Sequence, residues 1–114
     1  IKKIINSEKL FGQWNDFIVN ANWTSNVKEG FFKLWVNGQL AYHYIGRTVA
    51  PDDQITVQFG IYRGAARSSG DANHVVFYDE IRKAKSCKKL KLGKLGFSCQ
   101  DLENQKIEKI YRLQ

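Results

Sequence analysis

Residues 55–63 read Ile55-Thr56-Val57-Gln58-Phe59-Gly60-Ile61-Tyr62-Arg63. Ile55, Val57, Phe59 and Ile61 alternate with Thr56, Gln58, Gly60 and Tyr62, a period of two residues that predicts a strand with one apolar and one polar face. Gln58 and Tyr62 stand four residues apart on the polar side. Gly60 between them leaves the backbone open to whatever lies across the strand. The stretch is therefore expected to be the floor of a ligand groove, with the rest of the chain building the sheet beneath it or supplying charge around it.

Working outward, Gly64 to Asn73 is small and polar, as suits a loop at the mouth of that strand. His74 to Ile81 predicts a further strand, with Val75 and Phe77 opposed to Val76 and Tyr78. On the other side, Ile45 to Gln54 is a polar connection that holds Gly46, Arg47, the single Pro51 and Asp52-Asp53. Upstream of it, Phe31 to Val36, Asn37-Gly38 and Gln39 to Tyr44 form a hairpin signal. Its first arm carries aromatics on both faces, so Trp35, beside Lys33, is either a core residue or a platform for stacking a sugar ring. Trp14 to Trp23 predicts a half-buried strand with Phe17, Val19, Ala21 and Trp23 on the apolar face. Residues 1–12 mix lysine with isoleucine and suggest an edge strand or the tail of an element begun upstream.

After Arg82 the character changes. Leu90, Leu92, Leu95 and Phe97 lie among lysines and glycines, and Leu102, Ile107, Ile110 and Tyr111 are spaced for a short C-terminal helix over Asp101 to Leu113, with Asp101 as its cap. Residues 1–85 thus read as the C-terminal portion of a β domain and 86–114 as a basic C-terminal extension that a disulfide could staple. Arg82, Lys83, Lys85, Lys88, Lys89, Lys91 and Lys94 follow one another with no acid among them, in a chain of net charge +7. Such a surface is either an ordinary solvated face or a rim for a polyanion: acidic polysaccharide, nucleic acid or an anionic membrane surface. Cys87 and Cys99 are the only cysteines. A disulfide closing a short loop, which points to a secreted or periplasmic protein, stands first, two free thiols second, and a metal site last, because His43 and His74 are not at ligand spacing.

With 114 residues, 43% of them apolar, the chain suits a single folded domain. No apolar run reaches the roughly 20 residues of a membrane-spanning helix. Five or six short strands with hairpin connections and little helix predict an all-β antiparallel sandwich. That number is small for two full sheets. Together with the absence of methionine, it suggests a C-terminal part whose upstream strands come from the same polypeptide or a partner chain.

Taken in order, Gln13-Trp14-Asn15-Asp16-Phe17, Trp23-Thr24-Ser25, Gly30-Phe31-Phe32-Lys33-Leu34-Trp35-Val36-Asn37-Gly38, Phe59-Gly60-Ile61-Tyr62-Arg63 and Val76-Phe77-Tyr78-Asp79-Glu80-Ile81 resemble the C-terminal half of polysaccharide lyases of the heparin lyase and glucuronan lyase type. The resemblance covers roughly residues 12–83. It implies a concanavalin-like β-jelly roll whose concave sheet binds an acidic polysaccharide and cleaves it by β-elimination beside a uronic acid. The family's catalytic tyrosine matches Tyr62. The lysine that commonly precedes that tyrosine by four residues is replaced by Gln58, whose amide can bond a carboxylate but cannot offset its charge. The family's further Gln and His have no counterpart in a matching motif here, and His43 and His74 read as surface or loop histidines.

On this footing Tyr62 is the expected proton donor, Arg63, Lys33 and Arg47 the charge partners, and Gln58 and Asn37 polar contacts, with Trp35 as the stacking candidate. The competing expectation is a glycan-binding or interaction module on the same fold that does not cleave. Specific nucleic-acid binding is disfavoured, since aromatics are sparse within Arg82 to Lys94. No cofactor is expected; Asp52-Asp53 and Asp71 are loop acids that read as solvated groups before they read as calcium ligands. Asn22-Trp23-Thr24 is a glycosylation sequon inside a predicted strand.

Overall fold

The structure, a computed structural model, describes residues 2–61 and 74–112. Its centre is the predicted hairpin. Strand β2 (Phe31–Val36) turns through Asn37 and Gly38 into β3 (Gln39–Ile45). Both turn residues have positive φ, 50° and 82°, the left-handed pair that a tight two-residue hairpin needs and that Asn-Gly tolerates best. The antiparallel register runs Phe31↔Ile45, Phe32↔Tyr44, Lys33↔His43 and Leu34↔Tyr42, then resumes at Trp35↔Leu40. Ala41 is the extra residue of a bulge.

Strand β1 (Phe17–Asn22) lies antiparallel on the other side of β2, from Phe17↔Val36 to Asn22↔Phe31. Its approach is fixed by the turn itself. The Asp16 N–H donates to Asn37 Oδ1 (2.8 Å), the Asn37 N–H to the Asp16 carbonyl (2.9 Å), and Asn37 Nδ2 to Asn15 Oδ1 (3.0 Å). At the far end the Gly46 N–H donates to the Gly30 carbonyl (2.9 Å), and a Cβ on Gly30 would collide with the carbonyl oxygen of Gly46. A two-residue β4 (Tyr111–Arg112) runs parallel to the end of β3, giving one mixed sheet in the order β1-β2-β3-β4.

Directly opposed residues share a face, so the sheet has two unlike sides. One carries Phe17, Val19, Phe32, Leu34, Tyr42 and Tyr44; the other carries Ile18, Asn20, Lys33, Trp35, Leu40 and His43. The core is on the second side. Trp35, Leu92 and Leu102 are 3–5% exposed, and Ile18, Leu40, Leu90, Leu95, Phe97 and both cysteines pack around them. Residues 87–105 form the layer that covers this side: α2 (Cys87–Leu90), a 3₁₀ turn (Leu92–Leu95) and α3 (Cys99–Asn104). Polar groups seal the seam. Trp35 Nε1 donates to the Leu102 carbonyl (3.0 Å), the Leu40 N–H to Gln105 Oε1 (2.7 Å), and Gln105 Nε2 to the Gly38 carbonyl (2.7 Å). The Cys87–Cys99 disulfide is formed.

Several expectations are corrected. Residues 1–12 hold a single helical turn, α1 (Ser7–Leu10), instead of an edge strand. In β1 the face expected to be buried is the open one: Phe17 and Val19 are exposed, and Ile18, from the other face, reaches the core. The C-terminal helix is shorter and begins earlier than predicted. Ser98, not Asp101, caps α3, its Oγ accepting from the Asp101 N–H (3.3 Å), and Asp101 sits in the first turn where its charge suits the helix dipole. Beyond Gln105 the helix does not continue, and Tyr111 joins the sheet.

Residues 55–61 and 74–81 are not in strands. Ile55, Val57, Phe59, Ile61, Val75, Val76, Phe77, Tyr78 and Ile81 are all exposed, and the two runs meet where the Phe59 and Tyr78 rings approach to 5.3 Å between centroids. Alternation says which face would be buried; the strand itself needs a ladder, and neither run has a hydrogen-bonded neighbour among the described residues. The described fold is thus one mixed four-stranded sheet with little helix.

Candidate functional site

The open face of the sheet concentrates aromatic surface. Phe32 and Tyr44 are register partners, and Tyr42 stands two residues from Tyr44 on the same side. Trp23, just past β1, joins them. Ring centroids are 6.0 Å apart for Trp23–Phe32, 6.2 Å for Phe32–Tyr42 and 5.0 Å for the stacked pair Tyr42–Tyr111. Lys109 Nζ lies 4.8 Å from the Tyr111 ring centre, a cation–π contact that extends the row. Trp23, Phe32, Tyr42, Tyr44, Arg47 and Thr48 line an open concavity of about 290 Å³.

The loop that brings Arg47 there is tied down on both sides. Tyr44 Oη donates to the Arg47 carbonyl (2.8 Å), Thr48 Oγ1 donates to the Asn22 carbonyl (2.7 Å), and the Thr24 N–H donates to Thr48 Oγ1 (2.8 Å). These bonds use the backbone of Arg47 and leave its guanidinium to act as a planar, permanently charged fork for carboxylate or sulfate. Aromatic faces beside such a fork suit a charged sugar, whose ring presents C–H groups to the π-face while its acid group takes the cation.

The opposite face carries a polar row. Asn20, Lys33 and His43 are matched across β1, β2 and β3, and Arg112 pairs with Ile45 next to them. The His43 pKa is held below the usual histidine value, first by partial burial and then by the charges of Lys33 and Arg112. Both effects favour the neutral imidazole over the imidazolium. Sequence reasoning treated His43 as a surface or loop residue. The alternation through β3, which separates His43 from Tyr42 and Tyr44, was the signal for its placement in mid-strand.

The candidates named from the sequence do not form one cluster. Arg47 lies in the aromatic concavity, whereas Lys33 is on the other face of the sheet, so the two cannot serve one sugar residue together. Trp35 is corrected from the stacking role: at 3% exposure, with its indole N–H bonded to Leu102, it belongs to the core. Asn37 is corrected as well, since its side chain is spent on Asp16 and Asn15 in the hairpin turn. Gln58 is exposed in the unpaired run. Tyr62, Arg63 and Asp71 lie outside the described residues. Trp23, Phe32, Tyr42 and Tyr44 were missed as a site although the alternation of the hairpin arms carried it.

A family model described as polysaccharide lyase matches residues 2–82. That is more than half of the chain, and the protein belongs to this family. Comparison with curated proteins and with solved structures returned no match. Family membership makes the protein carbohydrate-active and points to a polysaccharide as its ligand. The disulfide, and the lack among the described residues of a helix long and apolar enough to cross a membrane, are consistent with an extracellular protein.

Proposed function

We propose that this protein is a secreted lyase acting on a uronic-acid-containing polysaccharide by β-elimination. The observation that carries the reading is the placement of Arg47 in the wall of the aromatic concavity. One hollow then offers both the stacking surface for a pyranose ring and the cation for its carboxylate. Pairing the carboxylate lowers the cost of removing the neighbouring C5 proton, which is the hard step of the elimination. That proton passes to a base, in the resembling lyases sometimes the same tyrosine that acts as the acid; the C5–H electron pair becomes the C4–C5 double bond, the C4–O bond breaks, and the departing glycosidic oxygen takes a proton.

Tyr62 is the proposed donor of that proton, on the resemblance of Phe59-Gly60-Ile61-Tyr62-Arg63 to the heparin and glucuronan lyase type, with Arg63 beside it and Gln58 as an amide contact. The concanavalin-like jelly roll of that type is the proposed complete architecture. In it, residues 55–61 and 74–81 gain hydrogen-bonded neighbours and bury the apolar side chains that they now expose.

Glucuronan, alginate and heparin should be incubated separately with the protein while the ultraviolet absorbance of unsaturated uronate is followed. Signal with one of them, lost in Tyr62→Phe and weakened in Arg47→Ala, is the expected result. No signal with any of the three overturns the reading. A second reading, a module that binds the glycan without cleaving it, is favoured by Gln58, which supplies no charge where this lyase type commonly has lysine. Saturable binding without product in every polymer would select it.

A further inference from the structure

A second concavity, of about 460 Å³, lies in the layer that covers the Trp35 side of the sheet. It is lined by Ile81, Arg82, Lys83, Lys89, Leu90, Lys91 and Lys94. No Asp or Glu occurs between Arg82 and Gln100. Glu80 is the nearest acid in sequence, and it is taken: Arg82 Nη2 and Nε both donate to Glu80 Oε2 in the one ion pair among the described residues. Arg82 Nη1 also donates to the carbonyls of Leu90 (2.7 Å) and Lys91 (3.0 Å). Arg82 is thus a clamp that brings Lys83 against the loop bearing Lys89, Lys91 and Lys94. Those four lysines have no acidic partner among the described residues.

The loop is built to hold them. The Cys87–Cys99 disulfide brackets it. Ser86 Oγ accepts from the Lys89 N–H, the Phe97 N–H donates to the Leu92 carbonyl (3.1 Å), and Leu92 is sunk in the core. The scaffold fixes the backbone from which these lysines project around one concavity, so little chain freedom is lost there when an anion arrives.

We propose that the stapled cluster of Lys83, Lys89, Lys91 and Lys94 is a second binding site for acidic polysaccharide, separate from the Arg47 concavity. This rests on the proposal that the ligand is an acidic glycan. Because Trp35, beneath this layer, points away from Phe32 and Tyr42, the two sites lie on opposite sides of the sheet, at least ~10 Å apart. A single sugar residue cannot reach both. A chain that wraps the edge of the domain can, so the lysine cluster selects for polymer length and tethers a long chain whose other part lies in the aromatic concavity.

The test uses the full chain. Lys89→Gln/Lys91→Gln/Lys94→Gln is compared with a charge-matched control, Lys3→Gln/Lys9→Gln/Lys28→Gln, on immobilised alginate and heparin. Thermal unfolding checks that both are folded. The cluster variant is expected to leave the column at lower salt and to bind polymer about tenfold more weakly at ~0.15 M salt, because salt-sensitive contacts add up along a polyanion. The control should behave as wild type. Binding of a uronate trisaccharide should be the same in all three proteins. Equal losses in the two variants, or no loss in the cluster variant, overturn the proposal. Duplex DNA retained as strongly as the glycan, and released by the same three substitutions, overturns its assignment to polysaccharide. If polymer binding depends on the cluster but no polymer yields unsaturated product, the lyase reading fails while this site stands.

Discussion

Replacing Trp35 separates two roles that a tryptophan beside a lysine on a strand can play. In the structure the ring is 3% exposed among Leu92, Leu102 and Leu40, and its Nε1 donates to the Leu102 carbonyl at 3.0 Å. Trp35→Ala removes the largest side chain of the core and should cost about 3–5 kcal/mol. Trp35→Phe is the finer probe. The Leu102 carbonyl also accepts from the Gln105 N–H (3.4 Å), so it is not orphaned, and the lost hydrogen bond is worth about 1 kcal/mol. The smaller ring leaves a void for roughly another 1–2 kcal/mol. A total of about 2–3 kcal/mol, against the 5–15 kcal/mol typical of a domain, leaves Trp35→Phe folded and Trp35→Ala marginal. Urea unfolding with the disulfide intact should show the Trp35→Phe midpoint lowered by about 1 M or more at an unchanged slope. Polysaccharide retention of the folded variant should equal wild type. A midpoint that stays put while retention collapses would refute the core assignment and restore Trp35 as a stacking platform.

The opposite result is expected at Trp23, which is 47% exposed on the rim of the aromatic concavity: Trp23→Ala should weaken binding of a uronate oligosaccharide about threefold to tenfold, as the loss of one stacked ring implies, with little change in the unfolding midpoint. Replacing both cysteines by serine frees a loop of separation 12 and should lower stability by about 3 kcal/mol, read by thermal or urea unfolding. For His43, whose folded pKa lies below its unfolded value, the unfolded chain binds more protons in the window just below pH 6.5; its contribution to stability is therefore present above that pH and is lost as pH falls through the folded pKa. Lys33→Met should move the His43 titration, followed by NMR, upward toward the ordinary histidine value. Gly30→Ala, whose Cβ would meet the Gly46 carbonyl, should destabilise by roughly 1–3 kcal/mol in the same unfolding assay.

The hairpin was legible because its information is local. Asn37-Gly38 imposes a turn that few other dipeptides accept, and the arms on either side alternate cleanly, so β2 and most of β3 fall where the pattern puts them. The burial of each face was not legible. Phe17 and Val19 look as though they belong in a core, yet what decides is which face the 87–105 layer covers, and that depends on Leu92 and Leu102 finding Trp35 across more than 50 residues of sequence. The same non-locality explains Ile55 to Ile61. Period two is a statement about one segment, whereas a strand is a property of two. At the site, Arg47 was readable as a cation in a loop, but its union with Trp23, Phe32, Tyr42 and Tyr44 required the register. Lys33 was named for its charge, and only the pairing with His43 shows that it serves the other side.

Gln105 carries a consequence of another kind. Its amide presents an acceptor to the Leu40 N–H and a donor to the Gly38 carbonyl, which is how an incoming peptide group would dock at the start of β3. At the other end of that strand Tyr111 and Arg112 occupy the ladder. One side chain and a two-residue strand therefore stand guard over a margin that would otherwise be a template for another molecule's backbone. Gln105→Ala, which leaves the Leu40 N–H and the Gly38 carbonyl open, should show this as concentration-dependent self-association in sedimentation.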